Sequence, residues 1–371
     1  MTLNALLLCS LSYGVYAAVL SKAQAPGYSG LGAEAKGPGL VDRLKLEAPK
    51  TSSIPEKEQL LDPDGIYFGT STKQSPWSGA EVRQVGTEAG ARPTISEYFV
   101  NWKHGFDPKA VAAAYQHGTL PLISWEPWAG GDSNQGAGIP KTTSADVNQP
   151  AYRLANITAG KFDSYITAFA KGVAADRRPV MIRFAHEMNG SWYPWSEQTN
   201  GNHLGDYVKA WQHVHDLFVR AGATNAIWIW SPDVVRGSHT RGLAALYPGD
   251  AYVDLVGLTG YGVLGEKTPD TTFDSTLKKV AALTSKKVLI TETGAEPSSL
   301  KATWIGNFFP WLIKHPQVIG FVWFEKDIAG GANADWRFSA TPETLRAFQQ
   351  GIKKVHLVTG SAKAAASAAS P

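Results

Sequence analysis

The chain has 371 residues, enough for one large barrel or two ordinary domains, and its 43% hydrophobic and 18% charged content is that of a globular protein. A formal net charge of +3 removes any electrostatic case for nucleic acid or an anionic membrane surface as partner. Cys9 is the only cysteine, which excludes an intrachain disulfide and a cysteine-built metal site.

Leu6 to Leu20 is almost entirely apolar or small, and Ala23-Gln24-Ala25 fits a small-x-small cleavage site. Residues 1–25 are therefore expected to be a signal for export, giving a secreted or cell-envelope protein. No positive charge precedes the run and Pro26 follows the cut, so an uncleaved anchor is the alternative, and the only membrane contact expected. Residues 26–63 are rich in Pro, Gly, Ser, Ala and charge without a sustained period, which reads as a flexible linker. From 353 to 371 a low-complexity tail is expected, ending in S-A-K-A-A-A-S-A-A-S-P.

Between them, residues 64–352 alternate strand and helix signals. Strands are expected at Gly65–Gly69, Tyr98–Trp102, Leu120–Trp125, from Val180 to the turn at Asn189-Gly190, and at Ala226–Trp230, Val253–Leu258, Lys287–Thr291 and Val318–Trp323. Helical spacing marks Pro108–Gln116, Phe162–Ala175, Tyr207–Val219, Phe273–Leu283, Trp304–Ile313 and a last helix near Pro342–Gly351. Eight apolar strand candidates, most alternating with helices, argue for an α/β fold of the (β/α)8 TIM-barrel type. No Gly-x-Gly-x-x-Gly follows the first strand and no Gly-Lys-Ser/Thr loop occurs, so nucleotide folds lose their best evidence.

In such a barrel the site lies at the C-terminal ends of the strands. Those ends carry Asn101-Trp102, Trp125-Glu126-Pro127-Trp128, His186-Glu187 with Asn189, Trp192 and Trp195, then Trp230 and Asp233, Tyr261, Glu292, and Trp323 with Glu325 and Lys326. Seven of the thirteen tryptophans fall on this rim, which a purely structural role would not require; a large core is the plain reading of the high aromatic count and a ligand groove lined by flat rings the sharper one. Glu187 and Glu292 each follow a strong strand, the fourth and the seventh, and can face each other across the mouth. Glycosidic cleavage needs such a pair: one acid for the leaving oxygen and one carboxylate to attack or to activate water. A lone strand-end glutamate is equally well an ion pair holding a loop. Arg183 fits either of two positions, beneath the two carboxylates or in a core ion pair with a neighbouring strand.

R-F-A-H-E-M-N-G-S-W-Y-P-W at 183–195 and L-I-T-E-T-G at 289–294 closely resemble family-26 glycoside hydrolases. S-W-E-P-W at 124–128, W-I-W-S-P at 228–232, G-F-V-W-F at 320–324 and Asp335-Trp336-Arg337 follow in the same order, so the resemblance covers about residues 64–350. It implies a (β/α)8 retaining endo-enzyme of the Glu/Glu clan, mostly β-1,4-mannanases with some β-glucanases and xylanases. It also implies roles: Glu187 as acid/base, Glu292 as nucleophile, His186 lining the subsite beside the cleaved bond, Tyr261 bonding the nucleophile, and Trp323 stacking under the sugar. Trp192, Trp125, Asn189 and Arg183 complete the expected substrate-binding set, with polysaccharide as partner, no cofactor and a monomeric chain.

One departure bears on specificity. Many mannanases of this family carry an aspartate two residues before the strand-six tyrosine, where this chain has Thr259. That weakens mannan and leaves a glucan or mixed-linkage substrate open. A carbohydrate-binding protein on an inactive scaffold, and an envelope protein remodelling the host's own exopolysaccharide, are the rival readings. His213 and His215 stand two apart on a helix and point different ways, so no metal site is expected. Lys326, between Glu325 and Asp327, reads as part of a solvated ion-pair cluster.

Overall fold

The computed structural model of the chain describes residues 56–130, 147–236, 241–263 and 265–359. Eight parallel strands close into a barrel in chain order: β1 Tyr67–Ser71, β2 Ile95–Asn101, β3 Leu120–Glu126, β4 Val180–Phe184, β5 Ala226–Trp230, β6 Leu255–Gly262, β7 Val288–Ala295 and β8 Val318–Phe324. Helices Gly79–Ala89, Pro108–Gln116, Asp163–Asp176, Asp206–Arg220, Pro269–Ala281, Lys301–Lys314 and Pro342–Ile352 pack outside. This is the expected (β/α)8 barrel. Every strand is buried along its whole length, because side chains fill the lumen and helices cover the outer face. That double burial is why the strands read as continuous apolar runs.

Helix ends follow local signals. Asp107 caps Pro108–Gln116 by accepting from the Lys109 N–H at 2.9 Å, with Pro108 in the first turn. Thr341 and Thr344 cap each other ahead of Pro342–Ile352. Gly79–Ala89 carries no mark in the sequence reading, since Gly79 and Gly86 dilute its period. It still has a Ser78 cap and buries Val82, Val85 and Ala89. After β5 the described residues form only two short 3-10 turns, Leu243–Ala245 and Asp250–Tyr252, before β6.

Both expected edges of the barrel domain move outward. Lys57–Leu61, placed in the linker by composition, is a helix with Leu60 buried. Lys57 bonds the Ala226 carbonyl at 2.9 Å and pairs with Asp254 at 2.7 Å, so this helix is tied to the N-terminal ends of β5 and β6. At the other edge Ile66 and Leu357 form a parallel bridge, which ties the start of the expected tail to the barrel. The signal segment, most of the linker and the tail beyond 359 lie outside the described residues.

Side-chain direction decides what the strands deliver, because successive residues face opposite sides of the sheet. Trp125 stacks on Phe169 with centroids 4.4 Å apart, and Trp323 lies 5.2 Å from Phe348 and 6.0 Å from Phe308. Trp102 packs on Phe162 and Tyr165, and Trp230 on Tyr247. These tryptophans form the layer between barrel and helices. The lumen belongs to their alternates, Ser124, Glu126, Arg183 and Phe324.

Candidate active site

Arg183 is the lumen-facing residue near the end of β4 and is fully buried. The chain then leaves the strand through an unusual turn. Ala185 and Glu187 both take left-handed backbone, at φ 45° and 53°, on either side of His186. Each such residue costs on the order of 1–3 kcal/mol and persists only where its surroundings fix it. Here the Ala185 N–H donates to the Trp125 carbonyl at 3.0 Å and the Glu187 N–H to the Ser231 carbonyl at 2.7 Å. Gly190 continues the turn without a side chain, since a Cβ there would collide with the Trp192 ring. That ring in turn holds Glu187, through an indole N–H donating to Oε2 at 2.6 Å.

Glu292 arrives by a different device. Leu258 pairs with Ile290, yet Thr259 pairs with Glu292, so β7 carries one extra residue against β6. The same excess shows against β8, where Ile290 pairs with Phe321 and Thr293 with Trp323. A bulge of this kind re-aims side chains. It lets two successive residues turn to the lumen: Thr291 bonds the Ser231 hydroxyl at 2.8 Å, and Glu292 reaches Arg183.

Arg183 is the hub. Its Nη1 donates to Glu292 Oε1, to Glu97 Oε1 at 3.1 Å and to the Ser124 hydroxyl at 3.0 Å. Nη2 donates to the Thr259 hydroxyl and stands 3.9 Å from Glu187 Oε1, while Nε donates to the Ser231 hydroxyl at 3.0 Å. The Tyr261 hydroxyl donates to the other oxygen of Glu292 at 2.7 Å. An oxygen of each of Glu187 and Glu292 and a ring nitrogen of His186 all lie within 4.8 Å of one another. That trio has a metal-like donor set, but the charge of Arg183 and the donors already on both carboxylates oppose a cation there.

The two carboxylates sit in unlike fields. Burial, then the charge of Glu292, pushes Glu187 up to about 7 against the pull of Arg183, the Trp192 indole and the Thr259 hydroxyl. Glu292 faces the guanidinium and the Tyr261 phenol directly. Burial works against the charge of Arg183, but Glu292, Glu97 and Glu187 outweigh it and hold its pKa above the ordinary value. Burial and Arg183 keep His186 well below the ordinary imidazole range, so its ring is neutral. Its Nε2 meets the Tyr193 hydroxyl at 3.2 Å, and its Nδ1 has no hydrogen-bond partner among the described residues.

Of the residues expected at the site, Glu187, Glu292, Arg183, His186, Tyr261 and Trp192 come together. Arg183 lies beneath the carboxylates and also forms a buried core ion pair, but with Glu97 of β2, two strands away, and not with a neighbouring strand. Trp125 and Trp323 do not join them, because strand alternation turns both into the helix layer, and their indole N–H groups bond Tyr165 and the Trp336 carbonyl there. Asn189 is adjacent but committed: its amide donates to the Asp233 carbonyl and accepts from the Asp233 N–H, both at 2.9 Å. It locks the β4 turn to the end of β5 in place of a free contact with substrate.

Several site residues were not marked for their roles. Glu97 and Glu126 are buried in the lumen, and burial first pushes each up to about 8. Phe324, not Trp323, is the β8 aromatic at the mouth; it clusters with Phe99, Tyr261 and Trp336. Lys326 is buried beneath that cluster instead of solvated, with Nζ 5.0 Å from the Phe99 ring centre and 4.7 Å from that of Phe324. Period-two alternation counted from Ser124 was the available signal for Glu126, and none fixed the face of Phe324. No sequence signal marked Lys326.

A profile of glycosyl hydrolase family 26 matches residues 105–334. The chain is 29% identical over 304 residues to Endoglucanase H of Acetivibrio thermocellus, covering 78% of this chain and 30% of that protein. It is 35% identical over 88 residues to a mannan endo-1,4-beta-mannosidase of Bacillus subtilis strain 168, covering 22% of this chain and 23% of that protein. These alignments span less than a third of either relative. Among solved structures, a family-26 β-mannanase of Bacteroides ovatus superposes with a TM-score of 0.56 at 21% identity, covering 82% of this chain and 91% of that one. This likeness is one of fold.

Proposed function

The chain belongs to glycosyl hydrolase family 26, and from that membership together with the carboxylate pair we propose that it is a retaining endo-β-glycanase, cutting β-1,4-linked polysaccharide by double displacement. One observation carries the reading: two carboxylates with oxygens within 4.8 Å of each other sit in unlike surroundings, Glu187 pushed up to about 7 and Glu292 bonded directly to the Arg183 guanidinium. Retaining enzymes place the pair about 5–5.5 Å apart and inverting ones about 6.5–9.5 Å, so the short separation supports retention.

In the proposed mechanism Glu187, protonated near neutral pH, gives its proton to the glycosidic oxygen as Glu292 attacks the anomeric carbon. Arg183 and Tyr261 orient Glu292 by donating hydrogen bonds to its two oxygens before attack. Glu187, now a carboxylate, then takes a proton from water as that water opens the glycosyl ester on Glu292. No step calls on a cofactor.

Mannan or glucomannan is the first proposed substrate, supported by the sequence likeness to mannan endo-1,4-beta-mannosidases. A β-glucan is the second. Thr259 supports it, because a hydroxyl occupied by Arg183 stands where many mannanases have a free carboxylate. The likeness to an endoglucanase over 78% of the chain supports it too. The test is reducing-sugar release from galactomannan, glucomannan, mixed-linkage glucan and β-xylans by wild type, Glu187→Ala and Glu292→Ala. Activity that survives in both variants refutes the mechanism, and binding without release by wild type favours the inactive-scaffold reading. Azide should rescue Glu292→Ala with an inverted glycosyl azide. Export through Leu6–Leu20 and a monomeric state are part of the proposal, and are tested by sequencing the mature N-terminus and by light scattering.

A further inference from the structure

The proposed mechanism uses the carboxylates and Arg183 but leaves a set of buried polar groups idle beside them. Glu97 shares Arg183 Nη1 with Glu292 through Oε1, yet its Oε2 is buried with no partner among the described residues. Ser71 ends β1 in the same condition, with its hydroxyl buried and unpartnered. Thr70 pairs with Ser96, so one step further Ser71 and Glu97 stand side by side; Ser71 pairs with Phe324 on its other flank. Phe68 faces the helix layer, against Phe348, so alternation turns Ser71 to the lumen with Glu97.

Lys326 closes this corner. It is 2% exposed and held over the faces of Phe99 and Phe324. Among the described residues it forms no ion pair within 4.0 Å, although Glu97 and Glu292 are the charges that act on it most strongly. Burial lowers it to about 8, which leaves it mainly charged at neutral pH. Buried polar groups are nearly always hydrogen-bonded in native proteins, so the two unpartnered oxygens in one corner, on Glu97 and Ser71, leave bonding for a ligand to complete.

Resting on the glycanase reading above, we infer that Ser71, Glu97 and Lys326 form a hydroxyl-reading corner for the sugar whose anomeric carbon meets Glu292. The corner lies with Glu292 and away from Trp192 and Asp233, which flank Glu187, so it faces the glycone and not the leaving group. A sugar hydroxyl both donates and accepts. It accepts from Lys326 Nζ, which only donates, and gives its hydrogen to Glu97 Oε2 or takes one from it. The Phe99 and Phe324 rings fix the ammonium and limit water around it. Lys326 is thus a specificity-determining residue that a deoxy sugar would fail to engage.

The test uses the full chain and whichever polysaccharide of the panel wild type cuts fastest. Lys326→Met is expected to lower kcat/KM by about 10–100-fold, since a site built to bond a hydroxyl is left mismatched. Lys326→Arg should recover part of it. The second readout is inhibition by a cationic imino sugar of the substrate's configuration. Removing the like charge of Lys326 should tighten that inhibitor while weakening substrate, whereas a purely structural role would weaken both. A folded Lys326→Met with wild-type kcat/KM, or with both ligands weakened alike, overturns the inference. If wild type cuts nothing, the glycanase reading has failed on its own. Calorimetric binding of the panel's oligosaccharides to wild type and Lys326→Met then decides the corner, and equal affinity refutes it.

Discussion

Trp192→Phe isolates how the proposed acid keeps its proton. The ring remains, but the N–H that donates to Glu187 Oε2 at 2.6 Å is lost. That bond stabilises the carboxylate, so its loss raises the Glu187 pKa. A hydrogen bond to a charged group is worth about 1.5–3 kcal/mol net, and 1.36 kcal/mol corresponds to one pKa unit, which gives roughly one to two units. The Glu187 side chain is 13% exposed, so water recovers part of the loss and about one unit is expected. The alkaline limb of kcat/KM reports the acid of the free enzyme. It should lie near pH 7 in wild type and near 8 in the variant, with a lower plateau because Glu187 is less well placed. The assay is reducing-sugar release from the best polysaccharide across pH 4 to 10, with circular dichroism at each end. A limb that stays put or moves to lower pH in a folded variant would refute the assignment of Glu187 as the acid.

Arg183→Met leaves Glu97 and Glu292 buried without their shared cation; loss of about 3–5 kcal/mol and roughly 10 °C in Tm is expected by calorimetry, with activity abolished. Trp323→Ala should destabilise by about 3–5 kcal/mol in denaturant titration, whereas Trp323→Phe should keep kcat/KM within a few-fold, because the ring faces helices and not substrate. Phe324→Ala should instead raise KM, since that ring clusters with Tyr261 at the mouth. Thermal stability should fall from pH 5 to 8. Glu97 and Glu126 rise from 4.5 to about 8 on folding and Glu187 and Glu325 to about 7, so their contribution is complete below pH 4.5 and is lost as pH climbs through those values. Lys326 opposes this only at the top of the window: with a folded value of about 8 against 10.5, it is losing its proton as pH nears 8 and adds stability there as pH rises. A melting temperature that rises across this window would contradict the burial of these carboxyls.

All eight strands were legible because a strand buried on both faces is a continuous apolar run. The same property hid which way each residue faces. Leu120–Trp125 and Val318–Trp323 carry apolar residues on both sides, so nothing in the composition said that Trp125 and Trp323 point outward. The anchor comes only with the structure: Arg183 lies in the lumen, and its contact with Ser124 fixes Trp125 on the opposite face. The bulge in β7 was not legible at all, since it exists only in the mismatch of register with β6 and β8. Lys326 misled for a related reason. Between two acidic neighbours it looked solvated, and only closure of the barrel brings Phe99 of β2 across it.

The division of labour between two glutamates follows from which donors reach them. Both are largely buried, and each acts on the other as a like charge. What differs is the guanidinium. Arg183 lies directly on Glu292 and 3.9 Å from Glu187. Glu292 also has the Tyr261 phenol, while Glu187 has only neutral donors, the Trp192 indole and the Thr259 hydroxyl. A shared cation cannot serve both carboxylates equally in a low-dielectric mouth, and Glu187, the one it does not touch, is left pushed up to about 7. The left-handed turn at Glu187 and the bulge at Glu292 are what set those two distances, which is a physical reason for strain to be stored at these two strand ends.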